Sequence, residues 1–173
     1  MSHSIEYSGA DMNYIAYSSN THLSTNDFTI EFHAYIKEWN TTYMGFLNQR
    51  HPSDPSGNSG SGNDWAITYT SARMDFFSGG YFITMPAPEL KKWKHYVVQR
   101  KTISGTKTFQ IFINGVLVNQ LVDPGKNFYN VGLSIGGAYT AVAENGSFYM
   151  SDFRLNNGNA IYNTSFTPPS AAL

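Results

Sequence analysis

Residues 27–37 read DFTIEFHAYIK, with apolar side chains on every second position. Phe28, Ile30, Phe32, Ala34 and Ile36 share one face, and Thr29, Glu31, His33, Tyr35 and Lys37 share the other. A side-chain period of two belongs to a strand that lays one face against a core. The same period returns downstream in TKTFQIFINGVLVNQL, residues 106–121, where Phe109, Ile111 and Ile113 alternate as far as Asn114-Gly115. Asn-Gly accepts positive φ at both central positions of a type I′ turn, so this stretch predicts a two-residue hairpin.

Further strands are expected in WKHYVVQRK (93–101), in VGLSIGG around Ile135 and in SFYMSDFRL around Phe153. Shorter ones are expected over residues 43–48, 64–69, 74–77 and 81–84. Apolar residues nowhere hold a 3.6 period over three turns, so the pattern predicts an all-β sandwich or barrel. The prolines of FTPPSAAL, residues 166–173, lack the donor that a central strand needs. This segment is expected along the surface as an extended strap.

Composition narrows the function classes. The chain has 173 residues, enough for one domain with a real core, and no cysteine, which removes disulfides and thiolate metal sites. A formal net charge of -1 and a charged fraction of 13% argue against a nucleic-acid surface. No run is long and apolar enough to span a bilayer, and MSHSIEYSG does not read as a signal peptide. The expectation is therefore synthesis and folding in the cytosol.

Residues 51–64, HPSDPSGNSGSGND, offer nothing apolar to bury and read as a solvated loop. Aromatics make up 16% of the chain. A sugar site needs an exposed ring against pyranose C–H groups, with polar groups for the hydroxyls. Trp65 and Tyr69 share a strand face beside this loop, and Asp64 and Asn58 belong to it. Tyr139 follows LSIGG at a turn. These five residues are the candidate ligand platform, and the competing reading places Trp65 in the core.

Catalytic patterns are missing from the sequence. The glycosidase arrangement of acids at alternate positions of one strand does not occur, nor do GxSxG and HExxH. His95, within its strand, reads as a packed or hydrogen-bonded side chain rather than a base. The chain is expected not to be an enzyme.

DFTIEF, WKHYVVQR, FQIFINGVLV, LSIGG and the closing FYMSDFRLNNGNAIYNTSFTPPSAAL follow one another in an order that resembles a known family. It is the laminin-G-like, pentraxin-like group of the concanavalin A-like lectin/glucanase superfamily, as found in bacteriophage tail and virion proteins. The most specific element is SDFRL followed by NAIY and FTPP. His33 departs from the pattern, because the family usually carries Trp there. The resemblance implies a single domain over residues 1–173, a two-sheet antiparallel jelly-roll sandwich. It also implies a structural calcium in many members, with Asp152 and Glu6 as the candidate ligands here.

By resemblance, the chain is expected to be a non-enzymatic lectin-like protein at a bacteriophage virion surface. Its expected partners are host-surface glycans, other virion proteins and further copies of itself. The alternatives are a purely structural capsid or tail decoration (cement) protein and a glycoside hydrolase relative.

Overall fold

The computed structural model describes residues 4–8, 15–17, 23–39, 44–49, 64–79, 81–128, 132–137 and 144–170. Among these it contains strands and no α-helix. The strands are β1 (Ile5–Ser8), β2 (Ile15–Tyr17), β3 (Phe28–Glu38), β4 (Met44–Gln49), β5 (Trp65–Tyr69) and β6 (Arg73–Ser78). They continue with β7 (Tyr81–Pro86), β8 (Trp93–Ile103), β9 (Thr106–Ile113), β10 (Val116–Val122), β11 (Leu133–Ile135) and β12 (Ser147–Asn157). One sheet runs β1-β12-β3-β8-β9-β10 and the other β2-β11-β4-β5-β6-β7. All strand pairings within the two sheets are antiparallel. The two sheets form the expected jelly-roll sandwich.

The alternation in DFTIEFHAYIK has its predicted consequence. Phe28, Ile30, Phe32, Ala34 and Ile36 are buried between the sheets. They meet rings from the second sheet: Phe28 lies 6.4 Å from Phe76, and Phe32 lies 5.2 Å from Phe46 (ring centroids). Each buried Phe contributes roughly 1.5–3 kcal/mol by area, so the aromatic wealth of the sequence is largely core.

The Asn114-Gly115 turn is also as expected. Both residues have positive φ (50° and 76°), and Val116 pairs directly with Ile113 across a two-residue loop. The turn is anchored as well, since the backbone N–H of His95 donates to Asn114 Oδ1 at 2.9 Å.

Arg100 closes one end of the core. Its guanidinium is fully buried, 3.1 Å from the equally buried Asp123 carboxylate, and it donates to the carbonyls of Ser24, Asn26 and Lys126. The rings of Phe28, Phe109 and Phe128 surround it at 5.1–5.9 Å.

Residues 158–170 cross the outer face of the first sheet without joining it as a strand. Lacking a ladder, several of the strap's backbone groups take partners from side chains that the sheet presents. Ile161 N–H donates to Thr29 Oγ1 at 3.0 Å, and Tyr162 N–H donates to Gln99 Oε1 at 3.2 Å. Gln99 Nε2 returns a bond to the Tyr162 carbonyl at 2.7 Å. Thr29, Glu31 and His33, on the polar face of β3, are therefore buried as well.

Candidate functional site

The expected ligand platform is not assembled. Trp65 and Tyr69 are each 0% exposed. Trp65 stacks on Phe76 and donates its indole N–H to Gln49, while Tyr69 stacks on Phe46 at 4.3 Å. Alternation along β5 aims both rings inward, so the core reading of Trp65 holds and neither ring can meet a sugar. Asp64 is buried too. Asn58 and Tyr139 lie outside the described residues, as does the loop up to Asn63.

The two carboxylates assigned to calcium do not converge. Glu6 faces Tyr149 across the β1–β12 ladder, and its carboxylate holds Lys37 at 2.6 Å. Asp152 lies three residues beyond Tyr149, roughly 10 Å along the strand. Asp152 occupies a bulge with φ 53°, where its carboxylate approaches His33 Nδ1 at 3.5 Å. Among the described residues, no group of three or more His, Asp or Glu could hold a metal. Arg154, two residues further on, pairs with Glu31.

The polar chemistry collects on the outer face of the first sheet. Beneath the strap, Glu31 Oε2 accepts from the Tyr162 hydroxyl at 2.5 Å and lies 3.3 Å from His95 Nε2, and Oε1 is gripped by Arg154. Burial alone would raise the Glu31 carboxyl, but the bonds from His95, Tyr162 and Arg154 outweigh it and hold it at about 2. Burial and the adjacent Glu31 push the Tyr162 phenol up to about 12. The rings of His33 and His95 lie 4.6 Å apart. Burial and then repulsion from His95 hold His33 below its ordinary range, against the pull of Asp152, the Pro169 backbone and Glu31.

A Glu–His pair invites a catalytic reading, but Glu31 is 3% and His95 2% exposed. Tyr162 and Phe166 stack on each other at 3.6 Å, and Phe166 stands edge-on to His95 at 5.9 Å, forming the lid. The cluster fastens the strap. Periodicity in β3 and β8 placed Glu31, His33, His95 and Gln99 on one outer face, but their partners Tyr162 and Phe166 are more than sixty residues away in sequence.

The strap leaves the next row of this face uncovered by its ring pair. There Glu6, Tyr149, Tyr35 and Trp93 stand side by side in direct register across β1, β12, β3 and β8. The three rings are half-buried. Tyr35 lies 5.8 Å from each neighbour, with planes tilted by 50°, and Lys37 Nζ sits 5.3 Å over the Tyr149 ring.

The family model described as the concanavalin A-like lectin/glucanases superfamily, of laminin-G type, matches residues 9–167. The chain belongs to this superfamily. Solved structures share its fold at low identity. The binding domain of Paraclostridial Mosquitocidal Protein 1 superposes with a TM-score of 0.64 at 14% identity, over 91% of this laminin-G-type chain and 41% of that one. A heptameric SAP-like pentraxin from Limulus polyphemus gives 0.61 at 13%, over 91% and 77%. A Bacteroides ovatus protein assigned provisionally to carbohydrate binding gives 0.66 at 12%, over 89% and 43%. The chain thus spans about two fifths of the mosquitocidal binding domain. No curated protein sequence matches it. The laminin-G-type chain is lectin-like in fold, and the structures that resemble it include receptor-binding and carbohydrate-binding domains.

Proposed function

We propose that this lectin-like domain is a non-enzymatic recognition module on the surface of a bacteriophage particle, where it contacts host-surface glycans. The observation that carries the recognition role is the laminin-G fold shared with binding domains, including one assigned provisionally to carbohydrates. Fold alone does not set function. The non-enzymatic reading also draws on the closure of the His95–Glu31 pair. His95 and Glu31 are closed off by Tyr162 and Phe166 and are spent on holding the strap. The closing SDFRL, NAIY and FTPP segments, with their resemblance to virion proteins, support the location.

The test has two arms. The purified chain on a glycan array should retain a defined set of saccharides without hydrolysing them. Antibody to the chain should decorate intact particles of the phage that encodes it. An empty array removes glycan recognition, and label confined to the soluble lysate removes the virion role.

A cement role is the second reading, favoured by one feature. The edge strand β10 and its neighbourhood expose Val116, Val118, Leu121, Val122 and Ile103. Such a row suits contact with another protein chain. Particles that fall apart without the protein, together with an empty array, would favour it.

A further inference from the structure

The geometry points to the half-buried row Tyr149–Tyr35–Trp93, on the first sheet's outer face beside the Tyr162–Phe166 ring pair, as a binding site for an uncharged pyranose chain. This inference rests on the glycan-recognition reading and names the surface and the ligand class for it.

The register builds the row. Tyr149 pairs with Tyr35, and Tyr35 with Trp93, so three rings from three adjacent strands fall in one line across the sheet. Successive centroids are 5.8 Å apart, a step similar to the advance of linked sugar rings. Each ring keeps part of its surface in water, in contrast to the fully buried Trp65 and Tyr69 of the opposite sheet. The axial C–H groups of a pyranose pack on such faces, and its hydroxyls need donors and acceptors at the rim.

That rim is present. Lys37 Nζ lies over Tyr149 and holds Glu6 at 2.6 Å, which places an ammonium and a carboxylate beside the outermost ring. Because the two charges compensate, the rim at the Tyr149 end offers hydrogen bonds with little net charge. A neutral saccharide loses little by desolvating there, whereas a sialylated or uronic one meets the Glu6 carboxylate with no surplus cation beside it. A row of this kind also strengthens a sheet by cross-strand contact, so folding and binding have to be read separately.

The experiment uses the full chain on an array of neutral and sialylated oligosaccharides. The strongest neutral probe is then titrated against wild type, Tyr149→Ala, Trp93→Ala and Trp93→Phe, with a thermal melt of each. Both alanine variants should lose affinity about tenfold or more, the loss expected of an aromatic anchor. Saccharide should also protect the half-buried Trp93 from iodide quenching in wild type. Trp93→Phe keeps the ladder packed should the alanine variant fail to fold, and it should abolish that protection. A saccharide bound equally well by folded Tyr149→Ala and Trp93→Phe overturns this site while leaving glycan recognition standing. Selective binding of sialylated probes overturns the ligand class. An array on which wild type binds nothing overturns both the site and the reading beneath it.

Discussion

The main chains of Gly115 and Phe166 meet at the edge of the first sheet, where Phe166 N–H donates to the Gly115 carbonyl at 2.9 Å. Gly115 has φ 76°, and a Cβ built on it would run into the Phe166 carbonyl oxygen. One glycine therefore closes the β9–β10 hairpin and seats the strap.

Gly115→Ala should destabilise the domain more than Gly105→Ala. Gly105 has a similar φ of 82° with nothing within 4 Å of an added Cβ, so it reports the backbone cost alone, about 1 kcal/mol. Urea titration of both variants gives the difference. Equal costs would mean that the strap moves aside freely.

Trp65→Ala should cost roughly 3–5 kcal/mol of folding stability, because the ring fills the core against Phe76. Denaturant melts check this directly. A folded, equally stable variant would mean that Trp65 lies outside the core.

Asp123→Ala should cost roughly 3–5 kcal/mol, since it strands the buried Arg100 guanidinium without its carboxylate. Arg100→Met is expected to be milder than the loss of the acid alone, with Phe28, Phe109 and Phe128 surrounding the replacement. The ranking of the two melts decides the point.

Stability should fall in two separable steps on acidification. His33 titrates below its ordinary 6.5 in the folded chain, so the unfolded chain binds its proton first. That contribution is complete above about pH 6.5 and declines as the pH drops. His95, Asp152, the Pro169 backbone and Glu31 act on it and set the size of the effect. His33→Phe should flatten the urea midpoint between about pH 7 and 5 relative to wild type.

The second step belongs to Glu31, held at about 2 against an ordinary 4.5. Its contribution is complete above about pH 4.5 and is lost as the pH falls toward 2. Asp27 and Glu89 are also held below their ordinary range and share this window. Glu31→Gln should therefore reduce the slope without removing it, and Tyr162→Phe should reduce it less while keeping the ring that stacks on Phe166. Proteolysis of the strap, followed across the same pH range, distinguishes its release from global unfolding.

Much of the fold was legible in short runs of sequence, because a strand's side chains alternate whatever surrounds them. Phe28 to Ile36 stated which face meets the core, Asn114-Gly115 stated the turn, and the prolines near residue 168 stated that the C-terminus could not be a central strand. The same alternation could not say which sheet each buried face meets. Trp65 and Tyr69 on β5 and Tyr35 and Trp93 on the first sheet all look alike as strand aromatics. The stacking of the two sheets sends the first pair into the core and leaves the second pair partly in water.

Tertiary structure alone decided the pairings over long chain separations. Glu31 finds Tyr162 and Arg154, His33 finds His95 and Asp152, and Tyr149 finds Tyr35 through register set by the bulges in β12. A periodic pattern carries the direction of a side chain and nothing about its distant neighbour. Each partner here is fixed by the order of strands in the sheet and by the path of the strap across it.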